Sequence, residues 1–75
     1  AIPLSEMPEN IPCVFVAVND TSTAFLQQLK RFKLEIGTEL VITERMPYDK
    51  SVWINNKNGD SFQLSEKIAG NIYVV

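Results

Sequence analysis

Only one stretch of this chain, Asn19 to Phe32, carries helical periodicity, and nearly everything after it alternates with the two-residue period of a β-strand. Phe25, Leu29 and Phe32 recur at i, i+4 and i+7, with Leu26 beside them, so one stripe of the helix is apolar. Gln27, Gln28, Lys30 and Arg31 take the opposite face, and Asp20, Thr21 or Ser22 can cap the free amides at its start. The chain has 75 residues, enough for one domain. A domain of this size buries only roughly 60–65% of the surface its unfolded chain exposes, so a lone apolar stripe must pack on the strands.

The strands follow from the punctuation. Residues 1–12 hold Pro3, Pro8 and Pro12, and proline fixes φ and lacks a donor, so they predict an extended or turn-rich lead-in to a domain over 13–75. "CVFVAV" has no polar alternation and reads as a strand buried on both faces. "ELVIT", "SVWIN" and "SFQL" alternate; Pro47 to Lys50 makes the first turn between them and Asn58-Gly59 the second. Ser65 caps a short helical turn, "SEKIAG", for which Gly70 is expected to supply a left-handed stop, and "NIYVV" closes the chain. Five short strands bury one face each most economically as a small, partly open barrel, with the helix plugging the open end. The expected core is Val14, Val16, Phe25, Leu29, Leu40, Ile42, Val52, Ile54, Phe62, Leu64, Ile72 and Val74.

Composition removes whole classes of chemistry. There is no histidine, and Cys13 is the only cysteine, so zinc fingers, internal disulfides and Cys–His or His-based acid–base pairs are excluded. Asp49 and Glu44 flank a turn without an evident partner, and the chain reads as no enzyme. Carboxylates alone make weak sites for iron or manganese, so the isolated domain is expected to hold no cofactor. A formal charge of −2 argues against nucleic-acid binding, which needs several clustered cations. The one basic cluster, Lys30, Arg31 and Lys33, suits the negative end of the helix. The longest apolar run, Cys13 to Val18, is too short to cross a bilayer, and no signal peptide precedes it. The chain opens on Ala1, as a processed chain or a piece of a longer one would.

"FLQQLKRFKLEIGTELVITERMPYDKSVWI" followed by "LSEKIAGNIYV" resembles the FeoA-type SH3-like domain over nearly the whole length. The matching features are the helix, the Leu34–Thr38 turn into a strand, Met46-Pro47, and the closing helix-to-strand segment Ser65–Val74. The resemblance implies a mostly β, SH3-like barrel of a cytoplasmic protein. It also implies one of two settings: a free-standing partner of a ferrous-iron transporter, or the C-terminal domain of an iron- or manganese-dependent repressor of the diphtheria toxin repressor family. "VNDTSTAFLQQL" and the lead-in "IPLSEMP" favour the repressor setting. There the partner would be an upstream DNA-binding and dimerisation domain, or a second copy, and Fe2+ or Mn2+ would belong to the parent protein. The resemblance makes Asp20 a candidate ancillary metal ligand, although Thr21, Ser22 and Thr23 follow it and no Gln stands at the matching place. From the residues alone Asp20 is a helix cap, and the two roles can coexist.

Strand alternation adds a surface. If Val52 and Ile54 point inward, Trp53 points outward among Ser51, Asn55 and Gln63; if Ile72 and Val74 are buried, so does Tyr73. Trp and Tyr are over-represented at interface hot spots, so Trp53, with Tyr48 or Tyr73, is the expected docking surface. The alternative is Trp53 lying flat over its own barrel.

Overall fold

The computed structural model describes all residues, 1–75. In chain order the elements are β1 (Ile2–Pro3), a 3-10 turn (Leu4–Glu6), β2 (Cys13–Val18), α1 (Thr23–Arg31), β3 (Glu39–Arg45), β4 (Val52–Asn56), β5 (Ser61–Leu64), α2 (Glu66–Gly70) and β6 (Ile72–Val74). All pairings are antiparallel, in the spatial order β1-β6-β2-β3-β4-β5. The sheet bends into an SH3-like barrel that stays open between β1 and β5, as the sequence predicts, with six strands where the sequence shows five. The extra strand is two residues of the lead-in, Ile2 opposite Val74 and Pro3 opposite Tyr73. A proline can occupy that position because β1 is an edge.

The lead-in is part of the fold. Leu4 is fully buried. Beyond its pairing with β2, the edge of β3 is covered by residues 5–10. The amide of Asn10 donates to the Ile42 carbonyl (2.7 Å), and the Arg45 amide to Glu9 Oε2 (2.9 Å). Arg45 Nη2 donates to the carbonyls of Ser5 (2.9 Å) and Met7 (2.5 Å). An uncovered strand edge invites foreign pairing, and this strap removes one.

The core holds ten of the twelve expected residues as buried or, for Phe62, half-buried; Val14 and Val16 do not belong to it. Cys13 and Phe15 point inward instead. The amide of Val14 donates to the Val75 carbonyl (2.9 Å) and that of Val75 to Val14 (3.0 Å), which puts Val14 outward beside Val75. Only one face of β2 is buried. A one-residue slip exchanges the faces of a strand, and an unbroken apolar run gives the sequence no way to choose between them. Leu34, also missed, is buried three residues past the end of α1.

The helix does plug the barrel: Phe25 and Leu29 are buried and Phe32 is half-buried, edge-on to Phe62 at 5.6 Å between ring centroids. Its C-terminus is a Schellman motif, with the Lys33 amide on the Lys30 carbonyl (3.0 Å) and the Leu34 amide on that of Leu29 (2.9 Å). Lys33 takes the left-handed position at φ 57°, and Leu34 packs back on Leu29. In the Leu34–Thr38 turn Gly37 has φ 96°. Its amide donates to the Phe15 carbonyl (2.7 Å), and the Phe15 amide donates to Thr38 (3.0 Å), so this turn pairs with β2 before β3 begins. Gly70 is not left-handed as expected. It sits inside α2, where a Cβ would meet Ser5 Oγ at 3.8 Å.

Candidate functional site

β2 delivers Asp20 to the mouth of α1. Asp20 Oδ1 accepts the Ser22 amide (2.8 Å), and Ser22 Oγ accepts the Phe25 amide (3.3 Å), so Ser22 is the cap and Asp20 holds the cap in place. The bonds from the Ser22 amide and hydroxyl, with a smaller contribution from Lys67, keep the Asp20 carboxyl below its ordinary range. A depression of about 270 Å³ opens here between α1 and α2, lined by Asp20, Gln28, Lys67 and Asn71 among others. The loop has no Gln, but the helix supplies one: Gln28 stands two turns along α1 from the cap, on the side that faces this depression.

For an ancillary metal contact the resemblance implies an acidic residue with a nearby Gln; Asp20 and Gln28 line the same depression, but Gln28 is not at the matching place and no hydrogen bond joins the two. The donor set does not fit a resident ion. It offers one carboxylate, already bonded to an amide, and one neutral amide, with the Lys67 ammonium in the same depression. Nowhere in the chain do three or more His, Cys, Asp or Glu side chains cluster.

The aromatic residues sit on separate parts of the surface. Trp53 is half-buried on the outer face of β4, opposite Glu44 on β3 and Gln63 on β5. Thr43 Oγ1 donates to its carbonyl (3.3 Å). Val52, Ile54 and Asn56 point inward around it, as strand alternation requires. Tyr48 stands at the tip of the β3–β4 hairpin with 99% of its surface exposed. Tyr73 is half-buried on β6, which β2 and β3 separate from β4 in the sheet order. Trp53, Tyr48 and Tyr73 therefore form no continuous aromatic patch.

The remaining polar groups are engaged in holding turns. Asp49 Oδ1 accepts both the amide (3.0 Å) and the hydroxyl (2.8 Å) of Ser51, which keep its carboxyl below the ordinary range. Gln63 Nε2 donates to the same hydroxyl (3.0 Å), stitching β5 to the start of β4. The Asn58-Gly59 hairpin depends on a residue the sequence reading did not single out. Asn56, 8% exposed, accepts the amides of Asn58 and Asp60 on its Oδ1, both at 3.0 Å. Burial raises the Cys13 thiol, whose only partner is the Leu40 carbonyl at 3.5 Å.

Comparison with curated protein sequences returns no match. Among solved structures, the chain is similar to an iron uptake regulatory protein, FeoA, at 25% identity and a TM-score of 0.85, covering 97% of this chain and 93% of that one. It is similar to a manganese-dependent transcriptional repressor solved with manganese at 15% identity and a TM-score of 0.90, covering 97% of this chain but 35% of the repressor. A FeoA-like protein from Clostridium acetobutylicum matches at 19% identity and a TM-score of 0.84, covering 99% and 84%. The model of the FeoA domain matches residues 2–75. The order of helix, Leu34–Thr38 turn and closing strand is thus carried on the architecture it implied, and the chain belongs to the FeoA domain family.

Proposed function

We propose that this chain is a non-catalytic interaction domain of metal homeostasis, serving as the regulatory C-terminal domain of an iron- or manganese-dependent transcriptional repressor. The observation that carries the reading is the fit of 97% of this backbone, at a TM-score of 0.90, to one third of a manganese-dependent repressor. In this reading Asp20 reaches a metal only in the full-length parent, where another domain would supply the remaining ligands. Fe2+ or Mn2+ is then sensed elsewhere in the parent protein, and DNA is bound elsewhere too. With net charge −2 and its one basic cluster at the end of α1, this domain has no phosphate-binding face.

A second reading is a free-standing accessory of a ferrous-iron transporter. It is favoured by the FeoA protein of which this chain covers 93% at 25% identity. The two readings part on one experiment with the natural full-length protein: gel-shift of its own promoter with Mn2+, with Fe2+ under anaerobic conditions, and with chelator. Metal-dependent retention of the promoter supports the repressor domain. Retention unaffected by either ion overturns it, and co-purification with a ferrous-iron transporter would establish the accessory.

A further inference from the structure

Ser51 and Asn56 are the buried polar residues of the chain, and Asn56 stands on β4 opposite Leu40 of β3. Its Oδ1 accepts two backbone amides, those of Asn58 and Asp60, which fixes which end of the side chain is oxygen. The other end, Nδ2, donates to no group of the chain. No sealed side-chain nitrogen or oxygen lacks a partner, so Nδ2 opens onto the surface. It meets there a depression of about 410 Å³ between the Leu34–Thr38 turn and the β4–β5 hairpin. Asn56 is the buried residue among those that line this depression, and so its floor. Asn56 also borders a smaller depression of about 100 Å³ that shares Glu39 and Lys57, so Nδ2 meets that charged pair by either opening. A side chain this deeply set ordinarily has its donors satisfied, and here the acceptor has to come from outside the chain.

Exposed charges of both signs surround this floor. Lys33 and Glu35 stand on the turn side; Glu39, next to Leu40, and Lys57, next to Asn56, are neighbours across β3 and β4. Lys57 makes no ion pair, and Lys33 makes only an exposed one, with Asp60 at 3.6 Å, which holds it weakly. No apolar side chain lines the depression, so it has no walls for a lipid, an aromatic or any other apolar ligand. A lone anion is repelled by Glu35 and Glu39, and a lone cation meets a floor that donates and two ammonium groups above it. We propose that the depression binds a small hydrophilic zwitterion of the α-amino-acid class. Its carboxylate accepts from Asn56 Nδ2 and from Lys57, and its ammonium group donates to Glu39 and Glu35. Bonds in which both partners are charged are the stronger ones, and the alternation of signs around the floor fixes the direction in which such a ligand lies. The volume falls within the roughly 300–1,000 Å³ of small-molecule sites. The site uses neither Asp20 nor Trp53 and does not depend on the metal chemistry of a parent protein.

The test is titration of the isotopically labelled chain with each of the hydrophilic amino acids, with acetate and ethylamine as its two half-molecules, followed by nuclear magnetic resonance at the Asn56 side-chain amide. Saturable shifts of that signal and of the Lys57 amide are expected with at least one amino acid, and binding about ten-fold or more weaker with either half-molecule. Asn56→Asp keeps an oxygen for the amides of Asn58 and Asp60 and removes the donor. It should lower the affinity about ten-fold or more, the loss expected for one hydrogen bond to a charged group. Glu39→Gln and Lys57→Gln change exposed side chains, should melt with the wild type and should each weaken binding several-fold; they decide the matter if Asn56→Asp does not fold. No saturation by any amino acid up to about 10 mM overturns the proposal, since a built site binds more tightly than that. So does acetate binding as well as the best amino acid, which would make this an anion subsite. Affinity unchanged in folded Asn56→Asp, or in both rim variants, places any binding elsewhere and likewise overturns it.

Discussion

Lys33 is held at φ 57° in a motif that ordinarily uses glycine, and a left-handed non-glycine residue costs about 1–2 kcal/mol. Lys33→Gly relieves that strain. It also frees the unfolded chain somewhat and gives up an exposed ion pair with Asp60 at 3.6 Å, each a smaller effect. A net gain of about 0.5–1 kcal/mol is expected, read as a higher urea midpoint at unchanged slope. Asp20 and Asp49 each accept a backbone amide that lowers the carboxyl in the folded chain alone. A depressed folded-state value means the stabilisation is complete above the unfolded value, near pH 4 by the ordinary aspartate range, and is lost as pH falls through the folded values. Acid unfolding of the Asp20→Asn/Asp49→Asn protein should therefore be shallower below about pH 4 than that of the wild type. A wild-type acid limb identical to the variant's would show that neither bond survives in solution. The sequence makes Asp20, Thr21 and Ser22 equally good caps, since all three side chains can accept an amide; only the path of the loop decides for Ser22, with Asp20 bracing it.

At the scale of elements, strand alternation made β3 through β6 legible. Leu40, Ile42, Val52, Ile54, Leu64, Ile72 and Val74 are all buried where period two places them. It failed for β2, where an apolar run conceals the face, and for the lead-in, where the prolines are real but the strand is two residues long. No local pattern announces Leu4 in the core or Arg45 reaching forty residues back to Ser5, because the contacts that hold the lead-in are made by residues far away in sequence. That Gln28 lines the same depression as Asp20 was hidden for the same reason: it depends on where α1 and α2 sit in the fold, which no local pattern in the loop records. The Arg45 strap yields a prediction. Its guanidinium holds two backbone carbonyls, and bonds of that charge-assisted kind contribute about 1.5–3 kcal/mol. Arg45→Ala should cost that much and should speed amide exchange at Asn10, whose bond to Ile42 shares the strap, before the β3–β4 pairing is affected. Uniform acceleration throughout the sheet would mean that the strap and barrel open as one unit. Phe25→Ala tests the plug, with an expected loss of about 3–5 kcal/mol.

For the whole molecule the decisive property is how little of its surface is committed to holding the fold together. A domain of this size is stabilised by only about 4–11 kcal/mol at 0.05–0.15 kcal/mol per residue, so an aromatic left partly outside the core has to be explained by packing or by a partner. Trp53 offers both explanations. On β4 it stands between Glu44 and Gln63, and part of the indole covers the sheet. Tyr48 and Tyr73 are too dispersed to join it in one patch, so a docking surface on this side is centred on Trp53 alone. Half-burial divides the indole into a part that covers β3 and β5 and a part that faces solvent, and the two contribute to different measurements. Trp53→Ala removes both parts; Trp53→Leu keeps much of the apolar cover while losing the ring edge that a partner would meet. If Trp53 is the docking residue, the Leu variant should melt within a few degrees of the wild type yet lose association with the neighbouring domain or second copy by about ten-fold or more, as an interface hot spot does. If the indole serves the barrel, the Ala variant should lose about 3 kcal/mol or more while assembly of the natural protein is unchanged in both variants. Measured together in the full-length protein, by thermal melting and sedimentation velocity, these two substitutions assign Trp53 to one role, and an unaltered assembly in the Leu variant removes it from the docking surface.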